Sequence, residues 1–239
     1  MFSLKHHRWR CPTTVNLGLL TIEIVVTFVV FGLALFLAAG TVLWLSGWVF
    51  LVLFLGFTIA LTQWLLRHNP GLLKERMTGI GKPNQPVWDR VFFVAVEVFF
   101  LAWLVLMPLD AVRFHWSQMP IWLQVVGAIL LLCSLYLFFL TFRENPYLSP
   151  AVRIQTERGQ TVISTGPYRH VRHPMYAGVI PFVVGTTFLL GSWYGLLGLI
   201  LTVGIGFRAV REERVLRAEL PGYDMYMGRV KYRLIPYVW

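Results

Sequence analysis

Long apolar runs separated by short polar stretches dominate the pattern of this chain. Leu, Val, Ile and Phe fill residues 18–39, 42–66, 91–109 and 121–142. Each run is close to the ~20 residues that carry a helix across the hydrocarbon of a bilayer, so four full spans are predicted. A fifth apolar stretch, 175–207, is too long for one span and is broken at Gly191, Ser192 and Trp193. The break predicts a pair of shorter helices that enters and leaves on the same side. The intervening segments carry stop signals. RENPYLSP, residues 143–150, ends the fourth helix, because proline disfavours helix in the residue before it. VRIQTERGQTVISTGPYR, residues 152–169, has a glycine turn and β-branched residues, which predicts a short extended or hairpin segment at the membrane surface. In RAVREERVLRAEL, residues 208–220, Val210, Val215, Leu216 and Leu220 alternate with charges, the pattern of a helix lying at an interface or leaving the membrane. Pro221 and Gly222 stop it.

The predicted fold is all-α, a polytopic membrane bundle of about six membrane-embedded helices whose last two form a short hairpin, followed by a C-terminal helix and tail. Two zones follow: residues 1–142 as N-terminal tail and four-span scaffold, and residues 143–239, where polar and apolar segments interleave, as the functional region. Composition agrees. The chain is 57% apolar and 13% charged, against about 25% charged in soluble domains. Its first apolar run is too long for a secretory leader and is followed after Gly40 and Thr41 by another, so a cleaved signal is not expected. Trp44, Trp48, Trp64, Trp116 and Trp122 fall near span ends, as interfacial anchors do.

Charge changes the picture by giving it an orientation. All Lys and Arg except Arg113 lie in the N-terminal tail, residues 67–90, residues 143–175 and the stretch from 208 onward, which alternate onto one side. The positive-inside rule makes that side, with both termini, cytoplasmic. The net charge of +10 is thereby accounted for by topology and anionic headgroups, and no nucleic-acid motif accompanies it. Cys11 and Cys133 form neither a disulfide framework nor a zinc pattern, and His6 and His7 beside Arg8 and Arg10 read as a solvated basic tail; no metal site is expected. His68 and His115 sit at span ends. Among intramembrane acids, Glu23 is close enough to the cytoplasmic end to reach water, whereas Glu97 is deeper and is expected to face the bundle interior.

The chemistry concentrates in two clusters. GPYRHVRHPMYAG, residues 166–178, precedes the last hairpin, and RAVREERVL, residues 208–216, follows it, so the hairpin brings them together. On a helix Arg208 and Glu212 share a face, one turn apart. Cations, acids, imidazole and phenols gathered at the mouth of a membrane bundle suit a polar ligand, although cations there also snorkel to headgroups. The pattern GxYxxxRHPxYxG, matched by Gly166, Tyr168, Arg172, His173, Pro174, Tyr176 and Gly178, followed by Arg208, Glu212, Glu213 and Leu216 and a tyrosine-rich tail, resembles the integral-membrane methyltransferases typified by isoprenylcysteine carboxyl methyltransferase and the phospholipid N-methyltransferases.

The resemblance, which covers roughly residues 150–239, implies an S-adenosyl-L-methionine pocket facing the cytoplasm and a lipidic or prenylated acceptor entering from the bilayer. It assigns Tyr168, His173, Pro174, Met175 and Tyr176 to the cofactor, with backbone contacts from Gln160, Thr161, Val162 and Ile163. It gives the cofactor ammonium to Glu212, with Glu213 beside it, and the orientation of an acceptor carboxylate to Arg208. For an amine or thiol acceptor, His173 or a Glu213 of raised pKa is the candidate base. Arg169 and Arg172 are left to lipid phosphates. The resemblance is strongest to carboxyl O-methylation of a prenylated acceptor, with phospholipid N-methylation and methylation of a small thiol or acid as alternatives that also suit these residues. A sterol-reductase-like oxidoreductase would have more spans, and a small transporter using Glu23 and Glu97 would leave both clusters unexplained.

Overall fold

Asn16 opens the first helix by accepting a hydrogen bond from the Leu19 amide at 3.1 Å, and Gly40, in the left-handed region at φ +72°, closes it. The computed structural model describes residues 15–77 and 85–239, and the described residues form eight α-helices without a strand. They are α1 (Leu17–Ala39), α2 (Leu45–His68), α3 (Pro70–Met77), α4 (Val87–Pro108), α5 (Ile121–Glu144), α6 (Pro174–Leu190), α7 (Ile200–Glu219) and α8 (Tyr223–Arg229). A π-helical turn, Leu109–Arg113, prolongs α4, and a 3-10 stretch, Tyr194–Leu199, leads into α7. Five segments are long and apolar enough to cross a membrane, with α6 as a shorter apolar helix beside them. The protein is an integral membrane helical bundle. The tail cations, His6, His7, Cys11 and Lys82 lie outside the described residues.

The core gathers side chains from every long helix except α7. Leu35 of α1, Phe50 and Leu51 of α2, Trp103, Leu104 and Met107 of α4, Leu131 and Leu135 of α5, and Phe182, Val183, Leu189 and Leu190 of α6 are buried together. α5 and α6 approach so closely that only glycine fits: a Cβ on Gly127 would lie 2.3 Å from the Leu189 nitrogen, and one on Gly185 2.6 Å from that of Leu131. Ser134 adds a hydrogen bond to the Gly178 carbonyl at 2.7 Å. The hairpin tip is tied to the end of α4, where buried Asp110 accepts from Ser117 at 2.6 Å and Ser192 at 2.5 Å. Trp103 donates to the Gly195 carbonyl at 2.6 Å just below.

Residues 208–220 continue α7 unbroken from apolar to charged sequence, the course of a helix leaving the membrane, because nothing between Ile200 and Glu219 breaks a helix and Arg208 is compensated sideways. Two expectations are corrected. Residues 152–169 form no hairpin; the glycine turn closes a 3-10 turn, Thr156–Arg158, and side chains replace strand pairing. There the Gln155 amide donates to Gln160 Oε1 at 2.8 Å, and Gln155 Nε2 to the Tyr147 carbonyl at 2.7 Å. Glu97 faces outward from the bundle, as Glu23 does, not inward.

The glycine contact should be intolerant of side chains. Gly127→Val or Gly185→Val forces backbone apart and should lower the melting temperature in detergent by several degrees, from overpacking worth about 1–3 kcal/mol. Gly56→Ala, whose Cβ meets nothing within 4 Å, should leave it unchanged or raise it.

Candidate functional site

A fully buried carboxylate organises the polar end of the bundle. Asp89 lies in the first turn of α4, where the helix N-terminus favours negative charge. Its Oδ1 accepts from Arg208 Nε at 3.0 Å, and its Oδ2 from Gln85 Nε2 at 2.9 Å and the Val152 amide at 3.0 Å. The other two guanidinium nitrogens of Arg208 are also engaged. Nη1 donates to the Tyr176 hydroxyl at 2.5 Å, and Nη2 donates to the Pro150 carbonyl. The Tyr176 hydroxyl in turn donates to Glu212 Oε2 at 2.6 Å. A continuous chain of charge-assisted bonds therefore runs from Asp89 through Arg208 and Tyr176 to Glu212, joining α4, α6 and α7. Glu212 is half-buried, and its Oε1 has no hydrogen-bond partner among the described residues.

Glu213 does different work from its neighbour. Successive helical residues point about 100° apart, so Glu212 and Glu213 cannot share a face. Glu213 is buried and takes Arg172 Nε at 2.6 Å, His173 Nε2 at 3.2 Å and Arg233 Nε at 2.9 Å. Arg172 is thus buried and not a headgroup contact. Its Nη1 also donates to the carbonyls of Val230 and Lys231, both at 2.8 Å. The amides of Arg172 and His173 donate to the carbonyls of Tyr232 and Arg233, each at 2.9 Å. The tail after α8 is latched onto the start of α6. Arg169 is exposed.

These bonds surround one cavity. Tyr168, His173, Pro174, Met175, Tyr176, Arg208, Glu212 and the segment Gln160, Thr161, Val162 and Ile163 all line it; Glu213 does not. The His173 ring stacks on that of Tyr176, with centroids 5.3 Å apart and planes within 9°. At one end Tyr168, Leu220, Tyr223, Tyr226 and Val230 pack with Val162, Ile163 and Leu216 into an apolar, aromatic wall. Burial holds the phenols of Tyr168, Tyr223 and Tyr226 well above the usual tyrosine range, so they remain protonated. The backbone groups of residues 161–164 enter no backbone hydrogen bond among the described residues. Gly166 brings Tyr168 to the wall: its φ of +54° suits glycine, and a Cβ there would lie 2.4 Å from the Glu144 side chain. The Tyr168 hydroxyl accepts from Asn145 at 2.8 Å.

Sequence reasoning missed Asp89, Asn145 and Arg76, all at this end of the molecule. Asp89 is 119 positions from Arg208, and no local spacing links the two. The only signal was an acid one turn before an apolar run. The pair can be tested by a double-substitution cycle. Asp89→Leu should cost about 3–5 kcal/mol by stranding a buried guanidinium, and Arg208→Met should cost a similar amount by stranding the carboxylate. The double variant should recover most of the loss in thermal unfolding, and strictly additive losses would show that the pair is not coupled.

Residues 122–220, which contain all but the first residue of α5, the whole of α6 and α7 and most of the cavity wall, match the family model described as phospholipid methyltransferase. A search of curated proteins returned no match. The likeness read from residues 166–178 and 208–216 agrees with this match, and residues 122–220 are similar to the membrane methyltransferases of that family.

Proposed function

We propose that this protein is an S-adenosylmethionine-dependent methyltransferase acting on a hydrophobic, membrane-resident acceptor. The observation that carries the reading is the half-buried Glu212 carboxylate, fixed by Tyr176 through one oxygen and open at the other, on the same cavity as an apolar slot edged by backbone groups that enter no backbone hydrogen bond. That donor set fits the cofactor. Glu212 Oε1 would accept from its ammonium, the backbone of Thr161, Val162 and Ile163 would meet the adenine edge, and Tyr168, Tyr223 and Leu216 would cover the ring face. When bound, S-adenosylmethionine supplies a methyl group on a positively charged sulfur, activated without an added acid.

The protein's own contribution is alignment and exclusion of water. Arg208 is assigned to holding the Tyr176 hydroxyl on Glu212, since all three of its nitrogens are engaged. With no free guanidinium nitrogen on Arg208 for an acceptor carboxylate, the engagement supports a phospholipid amine over a prenylcysteine carboxylate as acceptor. An amine must lose a proton, and His173 is the imidazole on the cavity wall, backed by Glu213. With the basic segments on the cytoplasmic side, the cavity faces the cytoplasm and the acceptor enters laterally from the bilayer.

Calorimetric titration of the detergent-purified chain with S-adenosylhomocysteine tests this reading. The wild type should bind, and Glu212→Gln should bind roughly ten- to a hundred-fold more weakly, the loss expected for a hydrogen bond to a charged group. Absence of binding by the folded wild type at millimolar concentration overturns the assignment.

A further inference from the structure

Four arginines line the cavity: Arg76, Arg153, Arg172 and Arg208. Three are neutralised inside the protein. Arg153 lies between Glu75 at 2.9 Å and Glu157 at 2.7 Å, Arg172 is on Glu213, and Arg208 is on Asp89. Arg76, near the end of α3, is different. Among the described residues no carboxylate comes within ion-pair distance of it. Its Nη1 donates to the Leu148 carbonyl at 3.2 Å and its guanidinium lies over the Phe142 ring at 4.8 Å, leaving Nε and Nη2 without partners. Burial lowers its pKa to about 10, with Glu23 of α1 opposing this only from a distance, so it remains a cation at neutral pH. Arg76 is partly buried on the cavity wall, and two of its nitrogens are left for a ligand to complete.

We infer that Arg76 is the anion-recognising group of the cavity, binding a carboxylate or phosphate of a ligand through its planar fork. The Leu148 carbonyl and Phe142 fix the plane of the fork, so it is set before a ligand arrives. The position is informative. Arg76 belongs to the scaffold zone, outside the matched residues 122–220, so the scaffold contributes a recognition group to the functional region. It packs beside the apolar cluster of α1, α2 and α3 that includes Leu20, Leu65 and Leu72 and touches Met175 of the cavity wall. The inference rests on the methyl-transfer reading only for the two sources of the oxyanion, the cofactor's carboxylate and the head group of an anionic acceptor.

The test compares wild type, Arg76→Gln and Arg76→Lys by calorimetry in detergent against two pairs of probes. S-adenosylhomocysteine carries a carboxylate that methylthioadenosine lacks, and short-chain phosphatidylethanolamine carries a phosphate that dodecylamine lacks. In one pair, Arg76→Gln should weaken the anionic member at least tenfold and leave its partner unchanged; which pair responds identifies the source. Arg76→Lys, which keeps the charge but loses the fork, should fall in between, and it serves as the folded variant if Arg76→Gln does not fold. Arg169→Gln, the loss of an exposed cation, should change neither pair. The inference is overturned if Arg76→Gln and Arg76→Lys bind all four probes as the wild type does, or weaken both members of each pair equally, which would make Arg76 a tie between α3 and Leu148. Should the wild type bind no S-adenosylhomocysteine, the methyl-transfer reading fails, and the phospholipid pair still decides the role of Arg76.

Discussion

Asp89 and Arg208 place two opposite charges where water has been removed, and that requirement shapes the rest of the site. Neither can be buried alone. Their pairing forces α4 and α7 together, draws the Val152 amide and the Pro150 carbonyl onto the pair, and fixes the loop that forms one cavity wall. Because the guanidinium also holds Tyr176, the position of Glu212 depends on a residue of the scaffold outside the matched segment.

Two adjacent acids on α7 divide the work because helix geometry turns them apart. Glu212 faces the cavity with one oxygen uncommitted, while Glu213 gathers two arginines and an imidazole and so anchors the tail. The helix face that lines the cavity is thus stiffened from behind. A latched tail and buried phenols bound the cavity and hold its lining groups in fixed positions.

Much of the fold was legible because bilayer-length apolar runs leave few alternatives: the first four spans and the break at Gly191 follow from pattern alone, whereas the last arm, expected to be short, is a fifth segment long enough to span. The cavity wall from Tyr168 to Tyr176 was legible from an uncommon motif. The rest depended on distance in sequence. Asp89 and Arg76 come from polar segments with no pattern of their own, and only packing shows that one neutralises Arg208 while the other lacks a counter-ion. Arg172 resembled a surface cation because its partners, Glu213 and the carbonyls of Val230 and Lys231, are brought to it by the returning chain. Glu97 was expected inside because burial is the usual refuge for an acid in a span; its outward position follows from the rotation of α4 that puts Asp89 and Trp103 inward.

The unbroken course of α7 gives this arm a fixed length as well as a fixed direction. An inserted or deleted residue between Ile200 and Arg208 would turn everything below it by about 100° and shift it by about 1.5 Å. Arg208 would leave Asp89 and Glu212 would leave Tyr176, and a deletion would in addition swing Glu213 toward the cavity. Substitutions on the outward side of this stretch, at Val203 or Phe207, touch none of those partnerships. The hairpin can therefore vary in lettering over time but not in register, whereas the loop at Thr156–Arg158, tied by its own side chains, is where the chain can absorb a change in length.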